Sequence, residues 1–198
     1  MLFNSDAFLF AFLPVTLGGF MACAACSRRA AVIWLIAASL FFYGWWNPLH
    51  VWVPIASMVF NFAVATLIDR RRNDAGAGKR LLVAGVTSNV LFLVYFKALI
   101  SPWFGVPEAT GSFSVAFAIA IPLGISFITF QQIAFLVDTY RGRIVAPQPV
   151  EYAFFLLFFP KLIMGPILHY RDIAPQLSAP GFGRLKLCLL YTSPSPRD

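Results

Sequence analysis

Between Ala30 and Ile68 the chain runs for 39 residues without an Asp, Glu, Lys or Arg. Few environments other than a lipid bilayer tolerate such a run. In hydrocarbon there is no water to satisfy backbone N–H and C=O groups, so the crossing segments must be helices or a closed barrel. A helix needs roughly 20 apolar residues to cross, so this run is too long for one helix and long enough for two. It divides at Asn47-Pro48, because proline disfavours helix in the residue before it and has no N–H of its own. The expected crossings are near Ala31–Trp46 and Leu49–Ile68. Further charge-poor stretches place spans at about Phe8–Cys26, between Arg80 and Lys97, and at about Phe113–Val137.

Composition agrees. Hydrophobic residues make up 60 % of the chain, charged residues only 12 %, and the mean hydropathy is +0.78, whereas about a quarter of the residues of a soluble domain are charged. The net charge of +7 does not point to nucleic acid, because the Lys and Arg residues fill short gaps between apolar runs and form no basic face. Their distribution is a topology signal. Arg28 and Arg29 occupy the first gap, Arg70, Arg71, Arg72, Lys79 and Arg80 the third, and Arg141 and Arg143 the fifth; the second holds none and the fourth at most Lys97. Short cytoplasmic loops carry the excess of Lys and Arg, so the odd gaps are expected inside and the N-terminus outside. Trp45, Trp46, Trp52 and Trp103 then fall at the outer ends, as an aromatic belt would. The first run follows Asn4-Ser5-Asp6, not a basic leader, and is expected to stay in the protein.

Beyond Arg143 the pattern breaks. Tyr152–Phe159 is apolar but is interrupted by Pro160-Lys161 and then by Gly165-Pro166, which reads as a re-entrant or half-buried element. The expected fold is therefore all-α: a polytopic membrane protein of about five transmembrane helices plus one broken helical element. Residues 1–187 form one membrane domain, and residues 188–198, CLLYTSPSPRD, read as a non-native or disordered tail.

Polar side chains inside spans are costly and mark either helix-to-helix hydrogen bonds or a hydrated cavity. The fifth span and its end carry Ser126, Thr129, Gln131, Gln132, Asp138, Tyr140 and Arg141. Gln131 and Gln132 are weighed evenly between cavity lining and structural bonding, and Ser126 and Thr129 as structural. Asp138 with Arg141 reads as an interfacial ion pair or as part of a site for an anionic acyl donor. Gly124-Ile125-Ser126 lacks the second glycine of a nucleophile elbow, since Ile128 stands there. His50 sits in an outer turn and reads as solvated. His169, beside Tyr170, Arg171 and Asp172, has the chemistry of a general base but reads first as a loop anchor. Cys23, Cys26 and Cys188 form no disulfide or metal pattern.

Five segments in order, MLFNSDAFLFAFLP, SLFFYGWWNP, NVLFLVYFK, PLGISFITFQQIAFLVDTYRG and FFPKLIMGPILHYRDIAPQL, resemble the N-terminal half of membrane-bound O-acyltransferases of the alginate O-acetylase type. The resemblance implies that the chain is part of a larger helical bundle in the bacterial cytoplasmic (inner) membrane. It implies acetyl transfer from a cytoplasmic acyl thioester such as acetyl-CoA, with no bound cofactor and no metal. The implied acceptor is a hydroxyl of an exported polysaccharide or of a periplasmic acetyl-relay protein. The family's proposed general-base histidine belongs to later helices and matches neither His50 nor His169, so the catalytic residue is unknown and this stretch alone is expected to be inactive. The motif positions mark Gln131, Gln132, Asp138, Tyr140, Arg141, Lys161, His169, Tyr170 and Arg171 as substrate-cavity candidates. A secondary transporter or a non-catalytic scaffold is the alternative, although no internal repeat supports the former.

The loop parity is open to a direct check. Alkaline phosphatase fused after Arg72 is expected to be inactive and the same fusion after Pro48 active; the reverse pattern, or equal activity at both sites, would contradict the orientation.

Overall fold

The computed structural model describes residues 5–46, 48, 51–72, 74–98, 124–164 and 169–178, and these are helical with no strand. Residues 99–123 and 179–198 lie outside the described set, and with them the first half of the expected fifth span, Trp103, Cys188 and the tail. His50 lies outside it as well. In chain order the helices are α1 (Ala7–Cys26), α2 (Arg28–Trp46), α3 (Trp52–Arg70), α4 (Ala75–Ala98), α5 (Ile125–Tyr140), α6 (Pro149–Leu157), α7 (Phe159–Met164) and α8 (Tyr170–Ser178). Among the described residues, Ala7–Cys26, Trp52–Arg70 and Gly76–Lys97 are long and apolar enough to cross a membrane.

Local chemistry places the boundaries. Ser27 is the single residue between α1 and α2, and its Oγ accepts the Ala30 N–H at 3.1 Å, an N-cap that supplies one of the acceptors a helix start lacks. Asp74 does the same for α4, its Oδ1 accepting the Ala77 N–H at 3.0 Å. Pro14 explains the opening of α1. Its ring removes a donor and crowds the carbonyl one turn back, and the preceding residues Ala7–Phe12 widen into π-helix, with the Leu13 N–H reaching the Phe8 carbonyl. The second expected break is found as α2 ends at Trp46 ahead of Pro48.

The helices alternate in direction. The Trp34 indole on α2 donates to the Thr16 carbonyl on α1 at 3.0 Å, and Phe41 stacks on Phe12, so this pair is antiparallel. Asn61 of α3 pairs with Asn89 of α4, again antiparallel. By contrast α3 and α5 run the same way, since Ser57 meets Gln132 while Asp69 at the far end of α3 accepts the Ala146 N–H. The ends that carry basic residues therefore meet: Arg72 donates to the Gly142 carbonyl at 3.2 Å, and Arg28 lies 4.0 Å from Glu151. Odd gaps share one face, as the charge count requires.

The broken element divides one step earlier than the sequence pattern indicates. The chain turns at Phe158, which leaves the helical region, and Pro160 sits in the first turn of α7, where its missing N–H has no intrahelical role. Two side chains take up the backbone groups freed at the break: the Ser39 hydroxyl accepts the Phe159 N–H at 3.2 Å, and Lys161 Nζ donates to the Phe155 carbonyl at 2.6 Å. Phe159 then enters a cage of Phe8, Phe12, Ala38 and Phe42. The main core holds Ala65, Ile68, Phe135, Leu136, Ile144, Tyr152, Phe155 and Tyr170.

Gly85 of α4 sits close against α3 and α5: a Cβ there would stand 2.8 Å from the Leu136 side chain and 3.1 Å from that of Val64. Gly85→Leu is expected to cost about 1–3 kcal/mol through overpacking and to lower the melting temperature in detergent. A melting point within a degree of wild type would remove this contact from the argument.

Candidate functional site

Helix α5 carries polar groups at two levels. Two turns before Asp138, Gln131 and Gln132 are both fully buried. The Ser57 hydroxyl of α3 donates to Gln132 Oε1 at 2.8 Å, and the Gln132 amide lies beside the hydroxyl of Tyr152 on α6. Even so, among the described residues both ends of the Gln131 amide, the Gln132 NH2 and the Tyr152 hydroxyl are buried without a well-formed hydrogen bond. Each such group costs about 1–3 kcal/mol where water is excluded. Thr129 differs, since its hydroxyl donates back to the Ile125 carbonyl at 2.7 Å and is satisfied within its own helix.

Beside this level Asn61 and Asn89 exchange two amide hydrogen bonds, at 3.1 and 2.6 Å, and each also donates to a carbonyl of its own helix. A groove of about 310 Å³ opens there between α3 and α4, lined by Ser57, Asn61, Ser88, Asn89 and the rings of Phe60 and Phe92.

At the basic face the end of α5 is built by Gly142. Its φ of +72° is the left-handed conformation that glycine adopts without strain. The Gly142 N–H donates to the Thr139 carbonyl and the Arg143 N–H to the Asp138 carbonyl, the paired bonds of a Schellman turn. That turn folds Arg143 back onto the helix, and its Nη1 donates to Asp138 Oδ1 at 3.0 Å. The expected Asp–Arg pair exists, but its partner is Arg143 and not Arg141, which is exposed.

Asp138 is 4 % exposed and receives a second neighbour. His169 Nδ1 stands 3.3 Å from Oδ2, close but too oblique for an aligned hydrogen bond. Nδ1 is buried while the His169 side chain as a whole is 41 % exposed, so the opposite edge of the imidazole faces solvent. Next in sequence, Tyr170 is buried against Phe135 and Phe155, accepts the Gln148 N–H and donates to Glu151 Oε2 at 3.2 Å. Burial, with a smaller contribution from the Glu151 charge, pushes its phenol up to about 12, which keeps it a donor across the physiological range.

The remaining candidates separate. Lys161 is buried with its Nζ 3.8 Å from the Phe155 ring centroid and donating to a carbonyl on the last turn of α6. Its observed contacts are structural. Tyr140 is half-buried, with its ring against Gly78 of α4. Arg171 is exposed and lies 3.6 Å from Asp172. The structure thus brings Asp138, His169 and Tyr170 to one end of α5 and leaves Gln131 and Gln132 at the deeper level. Sequence reading missed Tyr152, Ser57, the Asn61–Asn89 pair and Arg143. A hydroxyl or amide inside an apolar run was the available signal for the first three.

The chain is 35 % identical, over 89 % of its length, to the peptidoglycan O-acetyltransferase of Helicobacter pylori. It is 34 % identical over 90 % of its length to the probable alginate O-acetylase AlgI of Pseudomonas aeruginosa, and 35 % identical over 90 % to that of Azotobacter vinelandii. It spans between 35 and 38 % of the length of these relatives. No family model and no solved structure matches the chain.

The Asp138 geometry distinguishes two neighbouring arginines. Arg143→Ala is expected to lower stability by about 1–2 kcal/mol, because it leaves a buried carboxylate short of a donor, whereas Arg141→Ala stays within about 0.5 kcal/mol of wild type. Equal losses in denaturant melts would contradict the assignment.

Proposed function

The chain is homologous to bacterial O-acetyltransferases of the alginate O-acetylase type, the membrane-bound O-acyltransferases its motifs resemble, and from that kinship we propose that it belongs to a machine that moves acetyl groups across a bacterial inner membrane. The donor is an acyl thioester, acetyl-CoA in the simplest case, that approaches the basic, cytoplasmic face. The acceptor is a hydroxyl of an exported polysaccharide or of a periplasmic relay protein. The N-terminus lies on the acceptor side.

Transfer forms a bond between the acceptor oxygen and the thioester carbonyl carbon, breaks the carbon–sulfur bond, and moves the hydroxyl proton to a base and ultimately to the departing thiolate. A thioester is activated enough that the protein need only deprotonate the acceptor and stabilise the developing oxyanion. Within this chain the observation that carries the reading is the fully buried Gln131–Gln132 pair beside Tyr152. Preorganised amide N–H groups in a water-poor site are the donors an oxyanion needs, and they cost little reorganisation when charge appears. Asp138, Arg143 and His169 sit at the face by which the donor enters, where they hold the end of α5 in register. The base itself is not assigned to any residue of this chain.

In cells that acetylate an exported polymer through this protein, Gln131→Ala and Gln132→Ala are each expected to reduce polymer-bound acetate by roughly tenfold or more, as removal of an oxyanion donor does, at unchanged protein level in the membrane. Normal acetylation in both variants would reject the amide pair as part of the site.

A further inference from the structure

A groove of about 460 Å³ lies at the basic face, apart from the α5 cluster, lined by Arg28, Arg29, Val32, Gln148, Pro149, Val150, Glu151 and Leu177. Three elements build it. Arg28 and Arg29 open α2 one residue after α1 ends, the Gln148–Glu151 segment opens α6, and Leu177 comes from α8. Helix α8 is amphipathic: Tyr170 and Leu177 are buried and Ile173 and Ala174 half-buried on one side, with Arg171, Asp172, Pro175 and Gln176 exposed on the other, the pattern of a helix lying in the membrane interface. Its apolar side packs Leu177 against Val32 and Phe154. The groove therefore joins a partly apolar lining to a cationic rim on the basic face.

The charges leave room for an anion. Glu151 is the carboxylate in the lining. Its Oε1 is 4.0 Å from Arg28 Nη2, a loose contact, and its Oε2 accepts the Tyr170 hydroxyl. Two guanidinium groups thus face one carboxylate already shared with a phenol. Arginine presents paired N–H donors that match phosphate oxygens. Topology alone would account for basic residues at this face, but Arg70, Lys79 and Arg80 satisfy that rule without lining this groove. The coincidence of twin arginines with a half-open, partly apolar groove is the additional feature.

We infer that this groove binds a phosphate-bearing amphiphile, with the phosphate on Arg28 and Arg29 and its hydrocarbon along the apolar lining of Val32, Pro149, Val150 and Leu177, of which Pro149 and Val150 are the more exposed. Two sources share the phosphate: an anionic phospholipid of the inner leaflet, whose acyl chain also meets the apolar lining, and the phosphate-rich end of an acyl thioester donor, an arm that rests on the function proposed above. Occupancy by either would tie α2, α6 and α8 together at the entrance to the bundle.

The full chain is reconstituted in nanodiscs of phosphatidylcholine with and without phosphatidylglycerol, and separately titrated with coenzyme A in lipid-free detergent. Wild type, the double variant Arg28→Gln/Arg29→Gln, and Arg80→Gln as a basic residue outside the groove are compared. A rise in melting temperature with phosphatidylglycerol that the double variant loses and Arg80→Gln keeps assigns the groove to lipid. Coenzyme A affinity that falls roughly tenfold, about 1.4 kcal/mol, in the double variant alone assigns it to the soluble phosphate. Partial recovery by Arg28→Lys/Arg29→Lys separates lost charge from lost folding. If neither probe distinguishes the double variant from wild type, or if Arg80→Gln loses as much, the inference is overturned. None of these readouts depends on acetyl transfer, so failure here and failure of the proposed activity are told apart.

Discussion

In a medium without water every hydrogen-bonding group must find its partner inside the protein, and this requirement orders most of what is seen here. It makes the spans helical, and it also sets how the irregular parts are built. Where the chain breaks at Phe158, a serine from α2 and a lysine from α7 take up the freed N–H and C=O groups. Where two amides face each other between α3 and α4, they bond reciprocally. Against that background the amide of Gln131, without a partner among the described residues, and the neighbouring Gln132–Tyr152 contact stand out. Polar groups left unsatisfied in this medium are the expensive exceptions on which a functional reading rests.

The basic face follows a different logic. Its charges lie at the ends of helices, where lipid gives way to water and exposed ion pairs contribute little. What organises this face is backbone geometry: one left-handed glycine turns the chain after α5 so that Arg143 reaches Asp138, and the same loop places Ala146 on Asp69 of α3. The two levels of polar residues on α5 thus have separate physical origins. One is held by burial and the other by a turn.

Much of this was legible in the residue order. The break at Asn47-Pro48 is found where proline's missing donor and steric demand put it, and the alternation of basic gaps anticipated the shared face because a helix that crosses must bring every second gap to the same side. The candidate cluster was legible as a set of polar types within an apolar run. Their partners were not. Arg141 looked the natural mate of Asp138 at three residues' spacing, yet the helix stops between them and the left-handed turn exchanges it for Arg143. Lys161 was marked as a cavity residue by the motif it sits in, but the carbonyl it caps is freed only because α6 ends where it does. Pro160 marked the broken element, and the break moved to Phe158 because proline fits the first turn of a helix.

By itself the sequence determined that this is a multi-span helical membrane protein, where most of its boundaries fall and which loops lie together, because hydrophobic length, proline and charge act locally and additively along a chain. The resemblance carried by its motifs pointed to acetyl transfer, in agreement with the names of its relatives. Only the tertiary structure decided which polar groups meet. Ser57 with Gln132, Asn61 with Asn89, Asp138 with Arg143 and His169, and the twin arginines over Val32 and Leu177 each depend on helix rotation, crossing or turn handedness. Those quantities arise from packing between distant segments and leave no periodic trace in the residue order.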